Sequence, residues 1–318
     1  MKRILALVLA ALMMLCVFAS CNVKMKTGKS DAPAYTRDGE KIIFGSYPQS
    51  EVTDKDIKAK LDSKAGELPT KENPQGWALI AFNETENSSK YVWRIDAEYD
   101  GERYQGVYGV KVNIVLPKQP MGGDPVEPIE ETDIFLYWFK YEPIVWTIVD
   151  ENEDDGTAVL FSDMILDARE FSKDNYSQGG IRSFLNETFY NVAFDKNQKD
   201  IILTTQLDNS AEGMGGGTTY KTCDNTKDKV FLFSSADFKK YGLSGGINDF
   251  TLQRKATYYA QRFGACDNEW WLRSGDIYTV KGCFEFDAST QEEALRMYYE
   301  MLDTMVSGII PALKIKLK

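Results

Sequence analysis

Histidine is absent from all 318 residues of this chain. Histidine is the side chain whose unperturbed pKa lies nearest neutral pH, and it is the usual general base of Ser-His-Asp and Cys-His catalysis. The absence excludes both mechanisms in their usual forms, together with zinc and copper sites that need imidazole ligands. The chemistry that remains open to the chain uses carboxylate pairs, Lys, Tyr or a Cys without an imidazole partner.

Cysteine is also scarce, with five residues in the whole chain. Cys16 and Cys21 lie in the N-terminal segment, which leaves Cys223, Cys266 and Cys283. Disulfides are permitted outside the cytoplasm, but three cysteines leave at least one without a partner in the chain. We consider a Cys266–Cys283 disulfide, and the alternative is three partly buried thiols that pack as small apolar groups.

Basic residues are the minority charge, with 37 Lys and Arg against 48 Asp and Glu, so the net charge is −11. A surface of this sign repels phosphate backbones, which argues against nucleic acid as a partner. Aromatic residues are plentiful at 13% of the chain, and they can supply the large core that a globular domain of this length needs.

The N-terminal segment has the pattern of an export signal. A basic pair precedes an apolar run over residues 4–19, and this run of about 16 residues is shorter than the roughly 20 that cross a bilayer. Ala19 and Ser20 then precede Cys21, and small residues at this point are typical of a secretory cleavage site. The Ala-Ser-Cys string resembles the lipobox of bacterial lipoproteins, although Phe18 stands where Leu is usual.

This pattern predicts a lipoprotein signal peptide over residues 1–20 and acylation of Cys21, which would tether the exported protein to the bilayer at the extracytoplasmic face of the membrane. A plain secretory signal with an incidental Cys is the alternative. Residues 21–40 are polar and lack periodicity, so we expect a flexible tether there. The domain itself is expected over residues 41–318, with 53–136 as an inserted or elaborated region.

Strand patterns open and close the predicted domain. Residues 41–44 and 312–317 read as strands, and helical patterns over 180–192 and 290–305 lie between them. This order predicts an α+β fold whose first and last strands share one sheet. The strand-rich stretch 77–116 is expected to be an added β element that packs on that sheet.

Further elements are expected between these ends. Residues 134–140 and 144–149 have strand patterns, and a helix is expected over 251–263. Thr53 is predicted to cap a helix that begins at Asp54, and Asp195 to cap a short helix that reaches Ile201.

Seven strings occur in order along the chain: FGSYPQS (44–50), YWFKYEPIVW (137–146), IRSFLN (181–186), FYNVAF (189–194), DNTKDKVFL (224–232), WWLRS (270–274) and PAL (311–313). Taken together, over about 41–318, they resemble one family, the DUF6273 domains of bacterial surface and secreted proteins. Two positions depart from the family pattern: Gly275 follows WWLRS where Pro is usual, and Ile310 precedes the final Pro-Ala where Arg or Val is frequent.

The resemblance also implies an architecture. DUF6273 domains are similar to the broad group of C-type-lectin-like and formylglycine-generating-enzyme-like folds, in which a mixed sheet is braced by helices and long loops carry any ligand site. Formylglycine-generating enzymes use two closely spaced thiols, a pattern that this chain lacks. The resemblance therefore favours a binding domain over an oxidase.

The WWLRS string is the first candidate site. Trp270 and Trp271 are adjacent, so in a strand they face opposite ways. One of them would then line a surface groove of the kind that stacks on sugar rings, or both are core residues. Arg273 is expected to be at least half buried and to need a carboxylate, for which we predict Glu142 or Asp167.

A calcium site is the second candidate. Asp224, Asn225 and Asp228 are rich in oxygen ligands, and Asp267, Asn268 and Glu269 follow later in the chain. Calcium binds six to eight oxygens, but no EF-hand spacing is present, and Asp and Asn are also common wherever a loop turns. Turn chemistry is the alternative interpretation.

The function expected from these patterns is a surface lipoprotein with a non-enzymatic binding or adhesion domain. Its partner would be a glycan or a surface protein, bound on the loops 208–228 and 264–278. A hydrolase that uses paired carboxylates and a structural component of the cell envelope are the alternatives. No nucleophile motif argues for the enzyme, and the separation of two carboxylates cannot be read from a sequence.

Overall fold

The computed structural model describes residues 33–70, 72–85, 88–110, 134–171, 175–215, 222–243, 252–275, 277–279 and 306–317. The strands are Thr36–Asp38 (β1), Lys41–Glu51 (β2), Ala78–Thr85 (β3), Ser88–Tyr99 (β4), Glu102–Val110 (β5), Ile134–Asn152 (β6), Thr157–Ser162 (β7), Met164–Ile165 (β8), Asp167–Glu170 (β9), Ile202–Leu203 (β10), Thr205–Leu207 (β11), Thr226–Asp228 (β12), Val230–Phe231 (β13), Lys255–Ala256 (β14), Glu269–Trp271 (β15), Ile277–Thr279 (β16), Val306–Ile309 (β17) and Ala312–Lys316 (β18). The α-helices are Lys55–Ala65 (α1), Gly180–Ser183 (α2), Tyr190–Ala193 (α3), Lys196–Ile201 (α4), Ala211–Met214 (α5), Ser235–Lys240 (α6) and Tyr258–Arg262 (α7), and a π-helical segment, Phe184–Phe189, joins α2 to α3. The fold is α+β, as the sequence predicts, and its sheets are mostly antiparallel where the resemblance implies a mixed sheet.

The 19-residue strand β6 organises the main sheet, which contains ten strands among the described residues. Its first half pairs with β5, its middle with β2 and its last residues with β7. The sequence pattern predicts two shorter strands here, over 134–140 and 144–149. They form one because the intervening Pro143 pairs across to Ser46 without ending the strand.

The predicted meeting of the two ends of the domain in one sheet is confirmed. Strand β2 pairs with β6, and β18 pairs with β7 on the same sheet. The ordered domain begins before residue 41, because β1 forms a hairpin with β2 from Thr36 onward. The last residues of the predicted tether are therefore in a strand, and its residues 21–32, with Cys21 and the signal segment, lie outside the described residues.

The added β element extends the main sheet instead of packing on it. Strands β3, β4 and β5 continue the hydrogen-bonded order from β6 toward one edge. Helix α1 covers this extension with Leu61, which packs with Trp77, Trp93 and Trp138 in a hydrophobic cluster separate from the main core. The Nε1 atom of Trp138 donates a hydrogen bond of 2.8 Å to Asp62 on the same helix. Residues 111–116 of the predicted element lie outside the described part.

Helix boundaries follow from their caps. Asp54, not Thr53 as the sequence pattern predicts, caps α1 by accepting hydrogen bonds from the backbone N–H groups of Asp56 and Ile57. The predicted cap of α4 by Asp195 is confirmed by a capping box with Gln198. The helix expected over 251–263 is limited to α7, and the one expected over 290–305 lies outside the described residues.

Strand β7 carries the core of the sheet. All six of its residues are buried, because β6 and β18 flank it and both of its faces are covered. On one face Phe161 stacks on Phe233 at 4.8 Å between ring centroids.

Within the described ranges, no helix is long and apolar enough to cross a membrane.

Candidate functional site

The two tryptophans of WWLRS are both core residues. Trp270 and Trp271 are each 1% exposed, and they do face opposite ways from β15. Trp270 stacks toward Phe238 of α6, whereas Trp271 packs against Phe171 and donates a hydrogen bond of 2.7 Å to the carbonyl of Arg169. Since each face of β15 is covered by another element, neither ring lines a surface groove.

Arg273 is buried, as expected, but its carboxylate partner is neither of those predicted. Its Nη2 atom lies 2.7 Å from Asp237 Oδ2, and its Nη1 atom donates to the carbonyl of Asp208 at 2.7 Å and to Asn209 Oδ1. Glu142 instead accepts hydrogen bonds from Ser50, and Asp167 accepts one from Tyr47. The planar guanidinium thus joins the loop after β11 to α6.

The proposed calcium ligands of the 224–228 loop are used for internal contacts. Asn225 Oδ1 accepts the backbone N–H of Asn209 at 2.8 Å. Buried Asp228 pairs with Arg182 at 2.8 Å and accepts the hydroxyl of Thr226 at 2.8 Å. The side chain of Asp224 is exposed, and its backbone carbonyl accepts a hydrogen bond from Asn209. These contacts correspond to the turn chemistry that the sequence left as the alternative.

The later acidic string is likewise structural. Asp267 Oδ1 accepts the backbone N–H of Ala256, and Asn268 Oδ1 accepts that of Arg254. Glu269 is buried in β15. Within the described residues, no group of three or more His, Cys, Asp or Glu side chains could hold a metal ion.

Two of the three cysteines in the predicted domain, Cys223 and Cys266, lie among the described residues. Cys223 and Cys266 are half-buried, and Cys283, the predicted disulfide partner of Cys266, lies outside the described residues. The Cys223 backbone N–H donates to the carbonyl of Asn209 at 3.1 Å. This bond ties the chain before β12 to the loop that holds Arg273.

A cleft of about 380 Å³ opens where β6, β7 and β18 meet β11 and α6. Its lining brings together the two predicted loop regions, since Asp208 and Gly213 come from 208–228 and Arg273 comes from 264–278. The other lining residues come from the sheet, from β11 and β13, and from α6: Asp150, Val159, Thr205, Gln206, Leu207, Phe231, Ala236, Asp237, Lys240, Tyr241 and Lys314. We refer to this site as the Arg273 cleft.

Three residues form a row across the floor of the Arg273 cleft. Val159 on β7 pairs directly with Asp150 on β6 and with Lys314 on β18. Because neighbouring strands lie about 4.8 Å apart, the Cα atoms of Asp150 and Lys314 are about 9.5 Å apart. The apolar Val159 lies between an acidic and a basic side chain on the same face.

Helix α6 forms the opposite wall, and the sequence explains its position. Ser234 caps the helix in a capping box with Asp237, and Phe238 packs into the core. Asp237 Oδ2 accepts both the Ser234 N–H and Arg273 Nη2, so one carboxylate fixes the start of the helix and the buried cation. Lys240 and Tyr241 follow at the end of the helix and reach the rim.

The surroundings of Lys240 and Asp208 favour the charged form of each side chain. Burial lowers the pKa of Lys240, but the Tyr241 hydroxyl, Asp237 and Asp150 outweigh that effect and raise it above its ordinary value. Burial raises the pKa of Tyr241. The backbone N–H and hydroxyl of Ser210, helped by Arg273, lower the pKa of Asp208. The Arg273 cleft therefore presents a cationic Lys240 and an anionic Asp208 at neutral pH.

Sequence reasoning found Arg273 and the 208–228 loop but missed most of the cleft. Asp150 ends an apolar strand pattern, and Lys314 alternates with Leu313 and Ile315 in the last strand. The local pattern around Asp150 and around Lys314 predicts only a polar side chain that faces away from the core. Their placement on either side of Val159 depends on strand register, which no local pattern reports.

The chain belongs to the DUF6273 family, a domain of unknown function, whose family model matches residues 155–317. The matched range covers just over half of the chain and contains every residue of the Arg273 cleft except Asp150. The similar strings at 44–50 and 137–146 lie before it. Neither the curated proteins nor the solved structures contain a match to this chain.

Proposed function

We propose that this protein is a membrane-anchored surface lipoprotein whose domain is a non-enzymatic binding or adhesion module with a C-type-lectin-like fold. Its ligand is a glycan or a surface protein, and the ligand binds in the Arg273 cleft. The observation that carries this proposal is the cleft itself, which combines an apolar floor with convergent polar side chains. Ligand sites in proteins commonly have that composition and volumes of about 300–1,000 Å³.

The arrangement beneath the cleft supports binding by a rigid site. Asn209 is 0% exposed and Arg273 is 2% exposed, and they hold the loop after β11 against α6. Both walls are thereby fixed before a ligand arrives, and preorganisation reduces the entropy lost on binding. Asp208, Gly213 and Arg273, which belong to the loop face on which the sequence predicted the ligand, line this cleft.

The hydrolase remains the competing function, because the cleft contains three carboxylates, those of Asp150, Asp208 and Asp237. A glycoside hydrolase needs one carboxylic acid with a raised pKa to protonate the leaving group. The pKa of Asp208 is lowered instead, and Asp237 is hydrogen-bonded to Arg273 and Ser234. The hydrogen bonds that occupy Asp237 and the lowered pKa of Asp208 both favour a binding function over hydrolysis.

Membrane anchoring is tested with Cys21→Ala. Acylation of this residue is expected to supply more than one lipid chain, and a single chain gives only marginal binding. The variant should therefore be released into the medium or accumulate with its signal uncleaved, whereas Cys16→Ala should remain anchored. Detergent-phase partitioning of both variants measures the effect, and unchanged partitioning of Cys21→Ala would contradict the lipid anchor.

The binding proposal is tested by blocking the cleft from its rim. Gln206 is exposed on β11 and lines the cleft, so Gln206→Trp should fill it without disturbing the core. On a glycan array, read with and without calcium, the variant should lose at least about tenfold in affinity for the glycans that the unmodified chain retains. Gln253→Trp places the same bulk on an exposed loop away from the cleft and should bind normally.

Three results would contradict the proposal. Equal binding by Gln206→Trp and the unmodified chain would place the ligand elsewhere. Turnover of a glycoside, without retention of any glycan, would favour the hydrolase, and a complete lack of both would favour a structural role in the cell envelope.

A further inference from the structure

Among the six charged side chains that line the Arg273 cleft, four are hydrogen-bonded and two are not. Arg273, Asp237 and Asn209 satisfy one another or the backbone. In the described part of the chain, the side chains of Asp150 and Lys314 make no hydrogen bond and no ion pair. They stand about 9.5 Å apart at Cα on either side of Val159, with one acceptor group and one donor group available to a ligand.

The charges of the lining cancel. Three carboxylates, Asp150, Asp208 and Asp237, face three cations, Lys240, Lys314 and Arg273, so the formal charge of the cleft is zero. The chain as a whole carries −11. This acidic protein therefore has a local balance of charge at the cleft, where an anionic ligand would meet three carboxylates and a cationic ligand would meet three cations.

We propose that the Arg273 cleft binds an uncharged, hydroxyl-rich ligand, a neutral sugar, without a metal ion. The inference rests on the proposed function and names the ligand class of the same site. A hydroxyl group both donates and accepts, so neighbouring hydroxyls can donate to Asp150 and accept from Lys314. The apolar floor, made of Val159, Phe231 and Leu207, is suited to the C–H face of a sugar ring.

Metal-free binding follows from the same lining. Calcium needs six to eight oxygen ligands, and each carboxylate of the cleft has a cation near it in place of further oxygens. The side chains themselves can make the hydrogen bonds that a bound calcium ion would otherwise mediate. Chelation should then leave binding unchanged.

The first experiment compares three versions of one ligand with the full chain in detergent, by calorimetry in the presence of EDTA. The probes are oligosaccharides of neutral hexoses, of the matching uronic acids and of the matching amino sugars. The neutral probes should bind at least about tenfold more tightly than either charged set, because each charged group faces like charge in the cleft. Their affinity should also change little with salt, since no charge is screened on binding.

The second experiment inverts the charge of the cleft in both directions. Asp150→Lys raises its formal charge by two, and Lys314→Glu lowers it by two. The first variant should shift preference toward the uronic acids and the second toward the amino sugars. Asp150 is exposed on its strand, so at least this variant should fold, and circular dichroism checks both. Lys316→Glu, on an exposed position of the same strand outside the lining, is the matched control and should keep the neutral preference.

The outcomes separate this inference from the proposed function. Tightest binding of a uronic acid or an amino sugar, lost in Gln206→Trp, would overturn the neutral ligand but leave the cleft as the binding site. Loss of binding in EDTA would overturn the metal-free site. Absence of any binding that Gln206→Trp abolishes would overturn the proposed function and this inference together.

Discussion

Replacing either tryptophan of β15 by Ala should destabilise the protein by about 3–5 kcal/mol, the usual cost of removing a large aromatic side chain from a core. Trp270 and Trp271 are each 1% exposed. They pack against different neighbours, Phe238 on one face and Phe171 on the other. Each substitution therefore leaves a separate cavity, and both should lower the midpoint of chemical denaturation.

The sequence alone leaves two arrangements of the tryptophans open, and this result would separate them. If one tryptophan lined a surface groove, as considered from the sequence, only the other would be needed for stability. Tyr258→Ala is the matched control, because Tyr258 is 62% exposed and its loss should change stability by no more than about 0.5 kcal/mol. A tryptophan variant as stable as this control would show that the corresponding face of β15 is not core.

Arg273→Met should be comparably destabilising, at about 3–5 kcal/mol, because it removes one partner of a buried ion pair. Methionine retains much of the apolar stem but none of the donors. Asp237, Asn209 and the carbonyl of Asp208 would each lose a hydrogen bond. Arg273→Lys keeps the positive charge but lacks the planar guanidinium. Its free energy of unfolding should therefore lie between those of Arg273→Met and the original protein.

Arg262→Met provides the comparison for the arginine. Arg262 pairs with Glu51 at 2.8 Å, but its side chain is 42% exposed, and exposed pairs contribute about 0–1 kcal/mol. Equilibrium unfolding in urea measures all three variants. An Arg273→Met protein that unfolds at the same urea concentration as Arg262→Met would contradict the structural role of the buried pair.

The candidate site was predictable in its loops and unpredictable in its floor. Arg273 was expected to be buried and paired, because a cation inside an apolar string needs a carboxylate. Asp237 was not foreseen as its partner, since it lies 36 residues away and looks locally like a helix-capping residue. The calcium interpretation shows the opposite limit of sequence reasoning. Asn225 and Asp228 are occupied by contacts with backbone and side-chain groups of the same chain, and local composition does not distinguish such residues from metal ligands.

The sequence by itself determined the α+β class, the strands at both ends of the domain, the capping of α4 by Asp195 and the burial of Arg273 and of at least one tryptophan of the WWLRS string. These follow from local periodicity, capping chemistry and the burial of large apolar side chains. Only the tertiary structure decided that β6 is one strand, that residues 78–110 extend the main sheet and that Asp150 and Lys314 flank Val159. Those features depend on which strands pair and in which register, and pairing is fixed by contacts between residues far apart in the chain.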